Sequence, residues 1–392
     1  MISLLVFILL VCGASMLAAL VLRRAGLSSN GILAGLLVGV LAGPTVLGRL
    51  APDRWEATVM GATDLRQERD LARSERTAYA MAASSAETDP DEVLSQLEGR
   101  DARILQLDAG IDQASRRHGR PWALACIGLA TIALGLGWSS GRRPRREGGT
   151  SDAIQLSLWI VLLPGVLAVL AMRLLGRPAF APETLFTAIA VSVPGWSCGR
   201  REAGALARIG TDGLVEKTLR TAMLPILVAT ILAAWSGGTG WGVAALVLLV
   251  LGTDIVPSRW GRRERRRIRA CLHGLVLPSL AATAVLRSDV LLETPWVLAI
   301  VLVLVAGDGR MIAWLVGLGF TTPGNDESSL QAGSGRSWRT SLLASAASGP
   351  QLALAATASA LALIDSGTTL ALVLGAATLD ATGPLRSRLA AA

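Results

Sequence analysis

The sequence predicts an all-α polytopic membrane protein with about 11 transmembrane helices, built from two related halves with crossing broken helices. The chain of 392 residues is 52% apolar, and its mean hydropathy is +0.52. A membrane helix needs about 20 apolar residues, and the uncharged run over residues 221–253 has room for two. Proline and glycine interrupt one apolar segment in each half, at Val193–Trp196 and at Ser348–Gln351.

Hydropathy divides the chain into three parts. Residues 1–50 hold the first two spans, near 2–22 and 31–49. Residues 51–120 form a polar insertion, and residues 121–392 form the remaining bundle. The spans predicted in that bundle lie near residues 122–138, 154–175, 182–199, 219–236, 240–256, 270–287, 295–319, 341–363 and 366–385.

The positions of the arginines predict the orientation of the chain. Odd-numbered connections between spans carry clusters such as Arg23–Arg24 and Arg262–Arg269, whereas short even-numbered ones such as 236–240 and 288–293 carry none. Because arginine and lysine favour the cytoplasmic side, we expect a multi-pass protein of the cell membrane with its N-terminus outside and its C-terminus in the cytoplasm. This placement also accounts for the net charge of +8. The partner of these arginines is therefore the lipid bilayer, and no nucleic-acid partner is expected.

The insertion over residues 51–120 has the composition of two helices on either side of a capped turn at Pro90. In the second helix Leu97, Ile104 and Ile111 recur every seven residues, a spacing typical of a coiled-coil seam. We therefore predict an antiparallel helical hairpin outside the membrane. It serves either as a docking or dimerisation element or as a solvated spacer, and the sequence leaves both open.

The two interruptions predict the candidate site. Proline removes a helix hydrogen bond and glycine relaxes the backbone, so each break leaves amides and carbonyls that lipid cannot satisfy. Paired breaks in corresponding positions of two halves point to the substrate site of a secondary transporter. The candidate transport residues at the breaks are Pro194, Gly195, Ser197, Ser348, Gly349, Pro350 and Gln351.

Two ionisable residues, Asp308 and Arg310, lie well inside a predicted span. Charges are costly at membrane depth, so these residues are the strongest candidates for an ion or proton site. Residues two apart on a regular helix do not face each other, so an ion pair between them requires unwinding at Gly307 and Gly309. Arg310 would then hold a carboxylate or the ends of the broken helices. Alternatively, the two residues form a fixed structural pair or lie in a loop.

The other ionisable residues of the spans favour structural roles. A lone histidine such as His273 is typically a hydrogen-bonded interior residue, with proton transfer as the alternative. Asp380, near the end of the last span, could pair with Arg386 or Arg388. Acidic residues at span ends suit helix starts and turns; these are Glu183, Asp254 and Asp365.

Five segments, in this order along the chain, resemble monovalent cation:proton antiporters of the Kef-like branch of sodium/hydrogen exchangers. The glycine-rich run Gly31–Gly48 resembles their second helix, and Ala190–Trp196 resembles their first broken helix. Gly307–Arg310 matches the place of a membrane-embedded basic residue after glycine. Ser348–Leu354 resembles the second broken helix, and Thr382–Arg386 resembles the closing turn.

The resemblance implies a secondary transporter that exchanges a monovalent cation for protons by alternating access at a midplane site, and that forms a homodimer. In the family an aspartate, often one of a pair, lies in the helix after the first break. Here Met223, Leu224 and Pro225 occupy that place, and residues 221–253 hold no carboxylate. Anion transport and uncoupled transport are therefore alternatives. A different class is a transport-inactive scaffold or sensor that docks partners through residues 51–120.

The sequence contains no pattern of an enzyme, a cofactor site or a metal site. Its glycine-rich stretches lack the Gly-Lys-Ser/Thr ending of a phosphate-binding loop, and no Ser/His/Asp set can be assembled. The four cysteines are isolated in or beside apolar spans, without the spacing of a metal or redox motif. We therefore expect neither enzymatic activity nor a bound cofactor.

Overall fold

The computed structural model of the protein describes twelve helices of nine or more residues and the turns between them. The described residues are 2–27, 31–85, 90–140, 150–193, 206, 214, 215, 218, 219, 221, 222, 262–321, 337–345 and 349–390. No strand occurs within these ranges, and 7 of their helices are long and apolar enough to cross a membrane. The prediction of an all-α membrane protein is confirmed. The count of about 11 spans stays a prediction, because those near 219–236 and 240–256 lie almost wholly outside the described residues.

The N-terminal part consists of α1 (Ile2–Arg24) and α2 (Ile32–Ala42). A Cβ at Gly35 of α2 would lie 2.0 Å from the carbonyl oxygen of Pro278, so only glycine permits this approach of two backbones. Two helical turns, Leu47–Leu50 and Pro52–Trp55, then lead into a π turn over Glu56–Met60. The glycine-rich composition of α2 thus follows from how closely it packs.

A hairpin of two long helices follows, α3 (Thr63–Ser85) and α4 (Pro90–Ser140). Ion pairs join Arg76 to Asp101 and Glu68 to Arg103. The later residue of α3 thus pairs with the earlier residue of α4, so the two helices are antiparallel. α4 has 51 residues and is therefore about 75 Å long at 1.5 Å per residue. It continues through Pro121, so the boundary predicted between insertion and bundle lies inside one helix.

The next helices are α5 (Thr150–Leu174) and α6 (Pro182–Ser192). In the second half, α7 (Arg262–Cys271) continues through the π turn Leu272–Val276 into α8 (Leu277–Val285). A helical turn over Val290–Glu293 follows. The remaining elements are α9 (Trp296–Leu304), the π turn Val305–Gly309, α10 (Arg310–Thr321), the helical residues 337–344, α11 (Gly349–Ala360) and α12 (Ser366–Leu389).

The helix α11 lies at the centre of the described bundle. Its residues from Gly349 to Ala358 are all buried, which is the pattern of a helix surrounded by other helices. It packs against α4, α6, α8 and α12. By contrast, α1 leaves side chains such as Leu9 and Leu10 exposed, at 71% and 66% of their surface, as suits contact with lipid.

Candidate functional site

Arg310 is a buried charge inside the bundle. The residue is 2% exposed, although it begins α10 directly after a π turn. Its guanidinium donates from Nε and from Nη2 to the carbonyl oxygen of Val191, at 2.8 Å and 2.6 Å. Nη2 also donates to Oε1 of Gln351 at 3.0 Å. One arginine thus joins the end of α6 to the start of α11, beside the two interruptions of the sequence.

The end of α6 supplies the acceptor for Arg310. Val193 precedes Pro194, and a residue before proline is driven out of the helical conformation; Val193 has φ −62° and ψ 115°. The carbonyls of the last turn, including that of Val191, then lack intrahelical partners and carry the partial negative charge of the helix end. Of the two arrangements expected for Arg310, a carboxylate or the helix ends, the described residues contain the second.

Gln351 connects this arginine to a third helix. It is fully buried in the first turn of α11, and its Nε2 donates to the carbonyl oxygen of Leu372 in α12 at 2.9 Å. A Cβ at Gly375 would lie 3.0 Å from that nitrogen, so glycine leaves room for the amide. The candidates Gly349 and Pro350 are buried beside it. Gln351 therefore uses both ends of its amide, as an acceptor from Arg310 and as a donor to α12.

Asp308 does not share the environment of Arg310. Local unwinding was expected to let the two residues pair, but the chain forms a π turn over Val305–Gly309, in which Asp308 is exposed. No ion pair joins Asp308 to Arg310, and both residues are among those described. The charge of Asp308 acts instead on Arg386. π turns within α-helices are frequent at functional sites, and this one delivers Arg310 to the interior.

Arg386 approaches the same region from α12. Its Nη1 donates to Oγ of Ser345 at 2.9 Å, and its Nη2 would lie 3.1 Å from a Cβ at Gly307. Ser345 follows the helical residues 337–344. Sequence reasoning did not select Ser345 or Arg386 as site residues, because an arginine at a span end is also what membrane topology requires. The small residue Gly307 opposite Arg386 is the only signal that the sequence offers.

Asp380 is bonded differently from the prediction. It is fully buried in α12, and its Oδ2 accepts a hydrogen bond from the backbone amide of Leu33 at 3.1 Å. Among the described residues, neither Arg386 nor Arg388 forms the expected ion pair with Asp380, and Arg386 bonds Ser345 instead. A carboxylate beside a helix N-terminus meets free amides and a positive partial charge, and this explains why Asp380 lies at the start of α2.

A second polar cluster fixes the starts of α6 and α12. Arg177 donates to Glu183 at 2.8 Å and to Asp365 at 2.9 Å, and Oγ1 of Thr368 donates to Glu183 at 2.6 Å. Burial alone would raise the pKa of Asp365, but hydrogen bonds from Thr368 and the Arg177 guanidinium outweigh it, and the pKa lies below its usual value. Two of the acids predicted for helix starts and turns, Glu183 and Asp365, thus share one arginine.

Several predicted site residues lie outside the described residues, namely Pro194, Gly195, Ser197 and Ser348, together with Asp254. Within the described part of the chain, no three His, Cys, Asp or Glu residues are grouped so that they could hold a metal ion. The geometry of the site therefore rests on Arg310, Gln351 and the carbonyl of Val191. No protein-family profile matches this chain, and no curated protein sequence matches it.

Proposed function

We propose that the protein is a secondary transporter built like the monovalent cation:proton antiporters, with alternating access to a site between the end of α6 and the start of α11. The observation that carries the proposal is the buried guanidinium of Arg310, which bonds Val191 at one helix end and Gln351 at the other. Discontinuous helices that meet near the bilayer midplane form the substrate sites of many secondary transporters.

The charges at this site bear on which ion the protein would transport. The Arg310 guanidinium offsets the partial negative charge at the end of α6, so that helix end does not need a cation to be stable. Charged groups buried at membrane depth are expensive and are usually retained for function. The monovalent cation and proton implied by the resemblance remain the first substrates to test, and small anions come second.

Ion flux into proteoliposomes tests the proposal. Wild-type protein would be reconstituted with a pH-sensitive dye inside and then exposed in turn to sodium, potassium and chloride gradients. We expect a gradient-dependent pH change with at least one of the three ions, because a coupled transporter converts an ion gradient into proton movement. The variant Asp308→Asn tests whether flux needs the exposed acid of the π turn. The matched control Asp53→Asn removes an exposed acid outside the bundle core. Folded wild-type protein that gives no flux above empty liposomes with any ion would refute the proposal.

A second candidate function is a transport-inactive scaffold or sensor. The observation that favours it is the continuity of α4, since a single helix carries the hairpin into the membrane bundle without a joint. A partner bound by the hairpin would then be coupled rigidly to the bundle. Binding of a partner to residues 51–120, together with absence of flux from folded protein, would support this candidate over the transporter.

A further inference from the structure

Four buried nitrogen atoms without hydrogen-bond partners lie together at one end of the bundle. Arg23 lies in the last turn of α1, and His273 lies in the π turn between α7 and α8. Within the described ranges, Nε and Nη2 of Arg23 and both ring nitrogens of His273 are buried and have no hydrogen-bond partner. A Cβ at Gly274 would lie 3.6 Å from Nη1 of Arg23, so the guanidinium packs against the turn beside His273. The great majority of buried polar groups in proteins do have partners.

The surroundings of these nitrogens favour an anion. The charges of Arg23 and Arg269 both act on His273. One carboxylate, Asp380, acts on Arg23, but its Oδ2 is engaged by the amide of Leu33. The adjoining helix α7 is rich in arginine, with a sequence of RRERRRIRAC. A guanidinium and a histidine ring nitrogen can both donate hydrogen bonds, and arginine binds phosphate in a planar, bidentate manner.

The position at the membrane suits a lipid phosphate. The last turns of α1 leave Leu17, Leu20 and Val21 exposed, at 66%, 52% and 64% of their surface, so this side of the helix is apolar up to Arg23. The arginine distribution assigns this end of the bundle to the cytoplasm. Basic pockets between transmembrane helices on the cytoplasmic side are known to hold anionic headgroups.

We propose that Arg23 and His273, with the charge of Arg269 nearby, form a binding site for a phosphate group at the cytoplasmic end of α1, beside the π turn that follows α7. The phosphate belongs to an anionic phospholipid or to free inorganic phosphate. The site is separate from Arg310 and does not depend on the transport proposal. A bound phosphate would join the last turn of α1 to the π turn through the buried nitrogens of Arg23 and His273.

Thermal unfolding of the full chain in a maltoside detergent tests this proposal. The protein is titrated with short-chain phosphatidylglycerol, with short-chain phosphatidylcholine and with inorganic phosphate. Two variants, Arg23→Gln and Arg24→Gln, remove the same charge from adjacent residues, but Arg24 is exposed. Because a charge-assisted hydrogen bond is lost only at Arg23, we expect Arg23→Gln to need roughly tenfold more phosphatidylglycerol for half of the stabilisation, and Arg24→Gln to behave like wild type.

Each result has a defined meaning. Stabilisation by phosphatidylglycerol alone that Arg23→Gln weakens identifies a lipid phosphate, and the same dependence with inorganic phosphate identifies the free anion. Equal effects of the two variants, or no stabilisation of wild type by either compound, would overturn the proposal. If Arg23→Gln does not fold, native mass spectrometry of wild-type protein decides instead: retention of phosphatidylglycerol or phosphate supports the site, and a mass without either contradicts it.

Discussion

At the scale of single residues, Arg310 and Gln351 hold the candidate site together. Arg310 was selected from the sequence because a charge at membrane depth is costly. Gln351 was selected because it follows the Gly-Pro interruption. Their bond to each other, 41 residues apart in sequence, could not be predicted, because it depends on how α10 and α11 pack.

Replacing Gln351 by leucine tests this bond. The variant removes two buried hydrogen bonds, one that Gln351 accepts from Arg310 and one that it donates to the carbonyl of Leu372. A hydrogen bond contributes about 0.5–1.5 kcal/mol, and about 1.5–3 kcal/mol when one partner is charged. We therefore expect Gln351→Leu to lower the unfolding temperature in detergent. The control Gln96→Leu lies on the exposed hairpin and should change it little. An unchanged unfolding temperature in Gln351→Leu would mean that the amide bonds do not stabilise the bundle.

The Arg177 cluster predicts a pH dependence. The pKa of Asp365 is lowered in the folded protein, so its ionised form contributes stability above its usual pKa, and this contribution is lost as the pH falls through the lowered value. Asp365→Asn keeps a helix-capping side chain but removes the charge. Unfolding temperatures of wild type and variant should differ most at neutral pH and converge in acid. A difference that stays constant between the two pH ranges would contradict the assignment.

At the scale of elements, local rules predicted some boundaries and failed at others. The end of α6 follows from Pro194, since the residue before proline leaves the helical conformation. The π turn over Val305–Gly309 was not predicted, because glycines in a membrane helix indicate only where the backbone can yield. Because of that turn, Arg310 is buried and Asp308 is exposed. The expected ion pair between them therefore does not form.

The close packing of α2 on α8 predicts how a glycine substitution in α2 affects stability. A Cβ at Gly35 would meet the backbone of Pro278 at 2.0 Å, and backbone cannot move aside as a side chain can. Overpacking of this kind costs about 1–3 kcal/mol or more, so Gly35→Ala should unfold at a lower temperature than wild type. Gly13 in α1 has no atom within 4 Å of its Cβ position, so Gly13→Ala should not. Equal behaviour of the two variants would show that the helices are not in such close contact.

At the scale of the whole molecule, the sequence predicted the membrane class well because hydropathy and length are properties of the chain itself. It placed a boundary near residue 120, where polar composition gives way to apolar composition. The helix α4 crosses that point unbroken, because backbone hydrogen bonding continues regardless of whether the side chains face water or lipid. Amino-acid composition therefore predicted where the chain passes from a polar to an apolar environment. It did not predict that the single helix α4 continues across that point.

The predicted orientation is testable on whole cells. In a variant without native cysteines, Gly99→Cys on the hairpin and Glu264→Cys in α7 each provide one exposed thiol. If the N-terminus lies outside, a membrane-impermeant maleimide should label Gly99→Cys in intact cells and Glu264→Cys only after lysis. The opposite pattern would invert the orientation, and with it the side of the membrane assigned to the hairpin.

The central claim is that the two helix ends joined by Arg310 form an ion-transport site. Its most direct test compares ion-driven flux in proteoliposomes for wild type, Arg310→Ala and Arg388→Ala, using the ion that gives the largest wild-type signal. Arg388 is exposed near the end of α12 and controls for the loss of one positive charge. We predict that Arg310→Ala abolishes flux while remaining folded and that Arg388→Ala keeps it. Undiminished flux in folded Arg310→Ala would contradict the claim.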